Sequence, residues 1–560
     1  MNRSTNNVLA RTAVTAAVLA GVAGLTTTAD AQKFQRLDGT DDRETSFDVE
    51  QTRDGGTVTA GVVEFVDPAT GALDEDFYII KHDKDGAVMW TTRYGGPRRD
   101  RATSIHQTMD GGYIVAGHTR SAFGGPTDGL ALLRLDPTGG VIWAHAYEAS
   151  SFEDVVNPHE PEYFLQPAVR ESRTGDIVVV TNDRTTAGGQ LPVYVRTDAA
   201  GIPLLNVRYI DPARGLATFA GFTDLKELDD TSIAFTGFWS DADPAPGGAP
   251  FVLDTDILGM RAGATGAPFW VFRYDEPAGP NFSNKEVGYG IDVITDADGT
   301  LHPFAIGGYA ERLNPFTGGV FVGTDHIQVD AMTGGLVATH FTDQQTPSYA
   351  ATLYNPELCV LTSGIDLSFS GAGAGIGAGS AEMLMPMLAG IAWNKTYGPF
   401  SGAFERLEGN AITDLTCGYA FTGPKDPSAI GIGFGVDQHL VKTDGLGESG
   451  CFEMDLQQRE DKPEMQQIQM AFEPDFRDNW SRWGDRIEWD VNSIVLCFDP
   501  NCEPPCPADI NGDGVLDNAD ISAFVTAFLG ANPIADFNGD GLIDNGDIGA
   551  FVAAFLAGCP

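Results

Sequence analysis

Residues 43–63 read RETSFDVEQTRDGGTVTAGVV, and residues 99–119 read RDRATSIHQTMDGGYIVAGHT. Asp54-Gly55-Gly56 returns as Asp110-Gly111-Gly112 at a shift of 56 residues, so the chain repeats itself. After each copy comes a strand, a D-x-x-G turn and an aromatic strand. These are YIIKHDKDGAVMWTTRY, with Trp90 and Tyr94, and ALLRLDPTGGVIWAHAY, with Trp143 and Tyr147. Weaker copies end at Tyr209, at Trp270 and Tyr274, at Phe341, and at Trp393 and Tyr397. The last, HLVKTDGLGESGCF, stops at its turn.

Seven turn-bearing units result, with aromatic strands spaced 53 to 67 residues apart. Each holds about four short strands, two around each turn. Four-stranded units at this period read as propeller blades. The fold expected is mainly β: a seven-bladed β-propeller over residues 32–451. At the same shift Phe34 aligns with Trp90, so KFQRLD has the place of an aromatic strand. The N-terminal strand is expected to complete the last blade and close the ring without an open edge. The D-x-x-G pieces read as hairpin turns in which Asp caps the turn and Gly takes positive φ. The repeat Trp and Tyr residues read as core. Spacing separates Asp83, Gly86, Trp90 from the sialidase Asp-box, whose intervals are shorter by one. The phrases DGGYIVAG and LVKTDGLGESGC are similar to repeats of secreted bacterial propellers of unassigned function.

The chain ends in a second, tighter repeat. DINGDGVLDNADISAFVTAFL from Asp509 returns as DFNGDGLIDNGDIGAFVAAFL from Asp536. Side-chain oxygens fall at Asp509, Asn511, Asp513, Asp517 and Asp520, then at Asp536, Asn538, Asp540, Asp544 and Asp547. Val515 and Leu542 would add a backbone carbonyl, and Gly514 and Gly541 take the sharp turn. A hard cation needs about six to eight oxygens, and this spacing wraps them round one point. A helix follows each loop, with Ile521, Phe524, Val525, Phe528 and Leu529 on one face, then Ile548, Phe551, Val552, Phe555 and Leu556. These are tandem half EF-hands. With eight Asp and no Lys or Arg over 506–560, calcium binding and folding should be coupled.

This tandem resembles a dockerin domain, an all-α module that docks secreted proteins onto cohesin receptors. The resemblance implies two calcium ions and a cohesin-like partner, with Asn518, Ala519, Asn545 and Gly546 at the partner-choosing positions. Cys506, Cys559 and the closing Gly-Cys resemble a Gly-Cys-terminated dockerin variant of planctomycete-type bacteria. That resemblance implies a Cys506–Cys559 bond.

Residues 1–31 read as a signal peptide: Arg3 and Arg11, an apolar core, then Ala29-Asp30-Ala31 before cleavage near Ala31–Gln32. No later apolar stretch is long enough to span a bilayer, so a secreted or cell-surface protein without membrane insertion is expected. Export permits disulfides. All seven Cys lie in the C-terminal part, and Cys451 with Cys497 is a second candidate pair. Residues 452–505 break the repeat and read as a small appended element and a Pro-rich linker before the dockerin at 506–560. A net charge of −44 argues against nucleic acid and anionic membranes.

Motif chemistry is sparse. There is no H-E-x-x-H and no nucleophile elbow. His106 and His118 flank one hairpin and read as polar residues at a blade edge. The first functional expectation is a non-catalytic propeller that binds a protein or glycan and is docked through its dockerin. The alternative is a glycoside hydrolase or lyase acting in polysaccharide breakdown, since glycoside hydrolysis needs only two well-placed carboxylates. Two carboxylates meeting in the central funnel would favour the enzyme; a funnel lined by Gly and Thr would favour the binder.

Overall fold

A computed structural model describes residues 33–122, 129–147, 166–240 and 255–275, apart from 41, 69, 186–188 and 229. Beyond 275 it describes the strands named below with a few flanking residues, and helical residues 518–529, 548–549, 551–552 and 555.

The chain is mainly β, of propeller type, built from small antiparallel meanders. After β1 (Lys33–Gly39), one meander holds β2 (Arg43–Gln51), β3 (Thr57–Val66), β4 (Leu73–His82) and β5 (Val88–Gly95). The next holds β6 (Asp100–Gln107), β7 (Tyr113–Thr119), β8 (Gly129–Leu135) and β9 (Val141–Tyr147). Then come β10 (Ala168–Glu171), β11 (Ile177–Arg184), β12 (Gln190–Thr197) and β13 (Pro203–Ile210). β14 (Ala220–Glu227), β15 (Ile233–Ser240), β16 (Thr255–Ala262) and β17 (Pro268–Asp275) follow. β18 (Lys285–Asp292), β19 (Phe304–Leu313), β20 (Val320–Val329) and β21 (Leu336–Asp343) join them in one sheet through a single parallel strand pair, Thr255 with Lys285. β22 (Thr352–Tyr354), β23 (Val360–Asp366), β24 (Ala378–Leu384) and β25 (Ile391–Tyr397) make another meander. β26 (Ala411–Leu415), β27 (Gly418–Lys425) and β28 (Asp437–Lys442) take β1 as their fourth strand.

The first strands of the meanders neighbour one another in a circuit: β2 beside β6, β6 beside β10, and so on to β22 beside β26 and β26 beside β2. They surround a channel. The second and third strands are buried on both faces, which is why they read as near-continuous apolar runs such as FYII and LALL. Val58, Phe77 and Ile79 pack on Ala102, Ile105 and Val115 of the next meander.

The turns behave as their residues require. Asp83 Oδ1 accepts from Asp85 N and Ala87 N, and Gly86 sits at φ +79°. Asp136 and Gly139 repeat this arrangement. The aromatic strand of one meander then reaches the turn of the next. Trp90 Nε1 donates to Pro137 O, Trp143 to Ala199 O and Trp270 to Ala331 O. The Tyr147, Tyr209 and Tyr274 hydroxyls donate to Gly201, Gly266 and Gly334 carbonyls. The aromatics are core, as expected, and they also bolt neighbouring meanders together.

β1 pairs with β28, Phe34 opposite Lys442, so the N-terminal strand fills the place its alignment assigned to it. Its closure with the first meander is partly apolar, Phe34 clustering with Val49, and partly polar. Asp38 and His82, both fully buried, meet at 3.0 Å, and Arg36 binds Asp38 at 3.1 Å.

Residues 452–505 were expected to form a small appended element. Instead their strands are spread around the whole ring. β29 (Glu453–Asp455) pairs with β25, β30 (Arg459–Asp461) with β21 and β31 (Gln466–Gln469) with β17. β32 (Glu473–Phe476) pairs with β13, β33 (Trp480–Arg482) with β9 and β34 (Asp485–Ile487) with β5. β35 (Asn492–Asp499) pairs with β1. The chain thus runs backward round the ring and lays a fifth strand on each outer edge. Repeat period could not reveal this, because the belt strands are three to eight residues long and carry no shared pattern. They remove the open edges that outer strands otherwise present.

At the C-terminus α1 (Asn518–Leu529) is helical, and Phe524 stacks on Phe551 with ring centroids 4.1 Å apart. Those two residues are equivalents in the tandem repeat. Ile521, Val525 and Leu529 remain exposed, while Phe524 is buried.

Candidate functional site at the channel mouth

First strands have no partner on the channel side, so their outward N–H groups need other acceptors. Side chains of neighbouring first strands supply them. Ile105 N donates to Asp48 Oδ2 at 2.9 Å, Gln107 N to Glu50 Oε2 at 3.0 Å and Ile291 N to Asp224 Oδ2 at 3.1 Å. The turns that follow the first strands do the same in the other direction. Arg53 N donates to Gln107, Met109 N to Glu171 and Arg173 N to Glu227. Alternation along SFDVEQ sends Asp48 and Glu50 to the channel and Phe47 and Val49 into the core.

The ends of β2, β6 and β10 open a cleft of about 320 Å³ lined by Glu50, Arg53, His106, Met109, Glu171 and Arg173, among others. In it His106 Nδ1 lies 3.0 Å from Glu50 Oε1. Deeper in the channel, Arg170 Nη2 lies 3.6 Å from Asp224 Oδ1. Asp48 and Arg170 are half-buried.

Burial pushes the Asp48 carboxyl up to about 6, against the pull of the Arg170 guanidinium. Burial also raises Asp224, again opposed by Arg170. Burial works against the charge on Arg170, but Asp224, Asp48 and Glu50 outweigh it. Asp48, with its raised carboxyl, and Glu50 at the cleft lie two residues apart on the same strand. Their Cα atoms are roughly 6.6 Å apart by strand geometry.

A second acidic group lies at the opposite ends of the strands. Carboxylate oxygens of Asp256, Asp275 and Glu286 fall within 4.8 Å of one another. Asp256 is bound by Arg273 at 3.0 Å, as Asp76 is by Arg93 at 2.7 Å in the equivalent place of the first meander. The recurrence marks a structural Arg–Asp brace.

The expected calcium ligands Asp509, Asn511, Asp513, Val515, Asp517, Asp536, Asn538, Asp540, Leu542, Asp544 and Asp547 lie outside the described residues. So do Asn545, Gly546, Cys451, Cys506 and Cys559. Asp520, Asn518 and Ala519 fall in the first turn of α1, and Cys497 in β35 opposite Gln35. His118 is buried, in register with Arg101 at the far end of the hairpin from His106. Asp48, Glu50 and Arg170 were not singled out by sequence; the alternating charges just before Asp-Gly-Gly were the available signal.

No family model matches the chain, and no curated protein does. Among solved structures it is similar to a protein of unknown function from Dyadobacter fermentans, at TM-score 0.33 and 11% identity over 74% of this chain and 100% of that one. A Bombyx mori GH32 β-fructofuranosidase follows at TM-score 0.25 and 11% identity over 83% and 99%. A xylan β-1,4-xylosidase from Bacillus halodurans gives 0.23 and 10% over 74% and 85%. Likeness this slight carries no argument about activity.

Proposed function

We propose that the chain is an exported, seven-bladed propeller that hydrolyses glycosidic bonds at its channel mouth, fastened to a cohesin-like partner by a calcium-loaded dockerin. The observation that carries the catalytic part is the Asp48–Glu50 pair. Asp48, held up to about 6, supplies the proton a leaving sugar oxygen needs. Glu50, oriented by His106 and Gln107 N, takes the proton of the attacking water. The dockerin part rests on the tandem calcium-loop sequence and on the Phe524–Phe551 stack between the repeat's helices.

A non-catalytic glycan- or protein-binding propeller is the second reading. Its support is that both Glu50 oxygens already have hydrogen-bond partners, as a rigid recognition surface would. The deciding experiment assays the full chain on a panel of plant and algal polysaccharides, measuring both reducing ends and binding. Turnover lost in Asp48→Asn and Glu50→Gln, with binding retained, establishes the enzyme. Binding without turnover on any glycan leaves the second reading.

A further inference from the structure

Ser104 sits between the channel's cation and its raised carboxyl. Its Oγ accepts from Val169 N at 3.2 Å and from Arg170 Nη1 at 3.4 Å. A hydroxyl has two acceptor positions and one hydrogen, so with both lone pairs engaged the hydrogen is left to donate. The next residue on the strand makes the contact with the carboxyl: Ile105 N donates to Asp48 Oδ2 at 2.9 Å. Arg170 is itself held from two sides. Nη1 donates to Val169 O at 2.7 Å, and Nη2 faces Asp224 at 3.6 Å. Asp224 in turn accepts from Leu225 N at 2.8 Å and Ile291 N at 3.1 Å. The line Asp224–Arg170–Ser104–Ile105–Asp48 therefore follows the circuit of first strands from β14 to β2 by way of β10 and β6.

We propose that Arg170 is a positioning residue for the channel-mouth site, fixing Asp48 through the Ser104–Ile105 segment of β6, whose hydroxyl it binds and whose next N–H holds the carboxylate. The proposal rests on the reading of Asp48 as proton donor. Among the described residues, the groups that face Asp48 are Glu50 on its own strand, Ser104 and the Ile105 N–H on β6, and Arg170 on β10. Arg170 also feels Glu50, Asp224 and Asp292. Glu50 and burial favour the protonated acid; Arg170, Ser104 and the Ile105 N–H favour its anion. Arg170 is the cation in that balance, and Asp224 lies 3.6 Å from its other nitrogen.

The test follows Asp48 directly, by ¹³C-carboxyl NMR titration of the full chain, with Asp48→Asn for assignment. Arg170→Met should raise the Asp48 midpoint by about one unit, the size of effect an opposite charge at close range has on a carboxylate. Arg170→Lys should restore part of it, and Ser104→Ala should raise it by less. The double variant Arg170→Met with Ser104→Ala should not exceed Arg170→Met by the full Ser104 effect, because the two act in series. Where turnover is measurable, its alkaline limb should move upward with the Asp48 midpoint while KM stays put. An unchanged midpoint in folded Arg170→Met overturns the proposal. If Arg170→Met fails to fold, an unchanged midpoint in both Arg170→Lys and Ser104→Ala does so instead. A shifted midpoint in a protein that hydrolyses no glycan upholds the positioning role and removes the hydrolase reading.

Discussion

Phe34 stands against Gly86 as Trp90 stands against Gly139: a Cβ added at either glycine would lie 2.6 Å from the ring. The ring of meanders is thus closed by the same aromatic-on-glycine contact that joins its consecutive members. The residues differ by 52 and 49 positions in sequence but occupy one geometric role, because Phe34 enters from the strand that completes the last sheet.

Gly86→Ala should therefore be costly twice over, since Gly86 holds φ +79° and has no room for a methyl. A loss of about 1–3 kcal/mol is expected from backbone strain alone. Phe34→Ala empties a buried site and should cost about 3–5 kcal/mol. Urea unfolding of each variant reads both. A Gly86→Ala protein as stable as wild type would show that the closure is loose.

A chain stopped before β29 should lose solubility rather than fold. It uncovers the outer edges of β5, β9, β13, β17, β21 and β25 together. Open edges are templates for pairing with other chains. Light scattering should detect assemblies in the shortened protein, and a monodisperse monomer would mean the belt is ornamental.

The meanders were legible because turns and aromatics recur at one period. The ring's closure was legible because Phe34 shares that period with Trp90. The belt was not, since three-residue strands such as Trp480–Arg482 acquire their conformation from the edge they join, and no local pattern announces it. The site was half visible. Asp48 and Glu50 stand in plain alternation, but the strand pairing that brings Arg170 between Asp48 and Asp224 is tertiary information.

Stability should respond to pH through Asp100. Burial raises its carboxyl to about 7, despite bonds from Thr119, Ser121 and Gly96 N. Between about pH 4, the ordinary aspartate value, and 7 the folded protein keeps a proton the unfolded chain has released. Stability from this group is full below that window and falls as pH rises through it. Asp100→Asn should begin less stable at pH 4 and narrow the gap toward pH 7. Asp38 has the opposite sign: burial raises it, but Arg36 and His82 outweigh that and hold it near 2. Its contribution is present above about pH 4 and is lost as pH falls toward 2. Thermal melts across pH 3–8 separate the two; a constant gap for Asp100→Asn would refute the assignment.

Calcium removal should melt the C-terminal helices and leave the β-sheets intact. Chelator titration followed by circular dichroism at the helix band, with tryptophan fluorescence as the β-sheet readout, checks it. Phe524→Ala should weaken the module by about 3–5 kcal/mol, since Phe524 is buried against Phe551. Helix signal indifferent to chelator would remove calcium from the account.

The belt has a consequence for when the molecule can exist at all. β1 is synthesised ahead of every other described strand, yet both strands that flank it, β28 and β35, come after residue 436. The first strand made therefore waits for nearly the last. Contacts of such sequence separation slow folding. In the finished protein each end of the β-structure is clasped by the other, so fraying from either end must first pull β1 from between two neighbours. The design exchanges rapid assembly for slow unravelling.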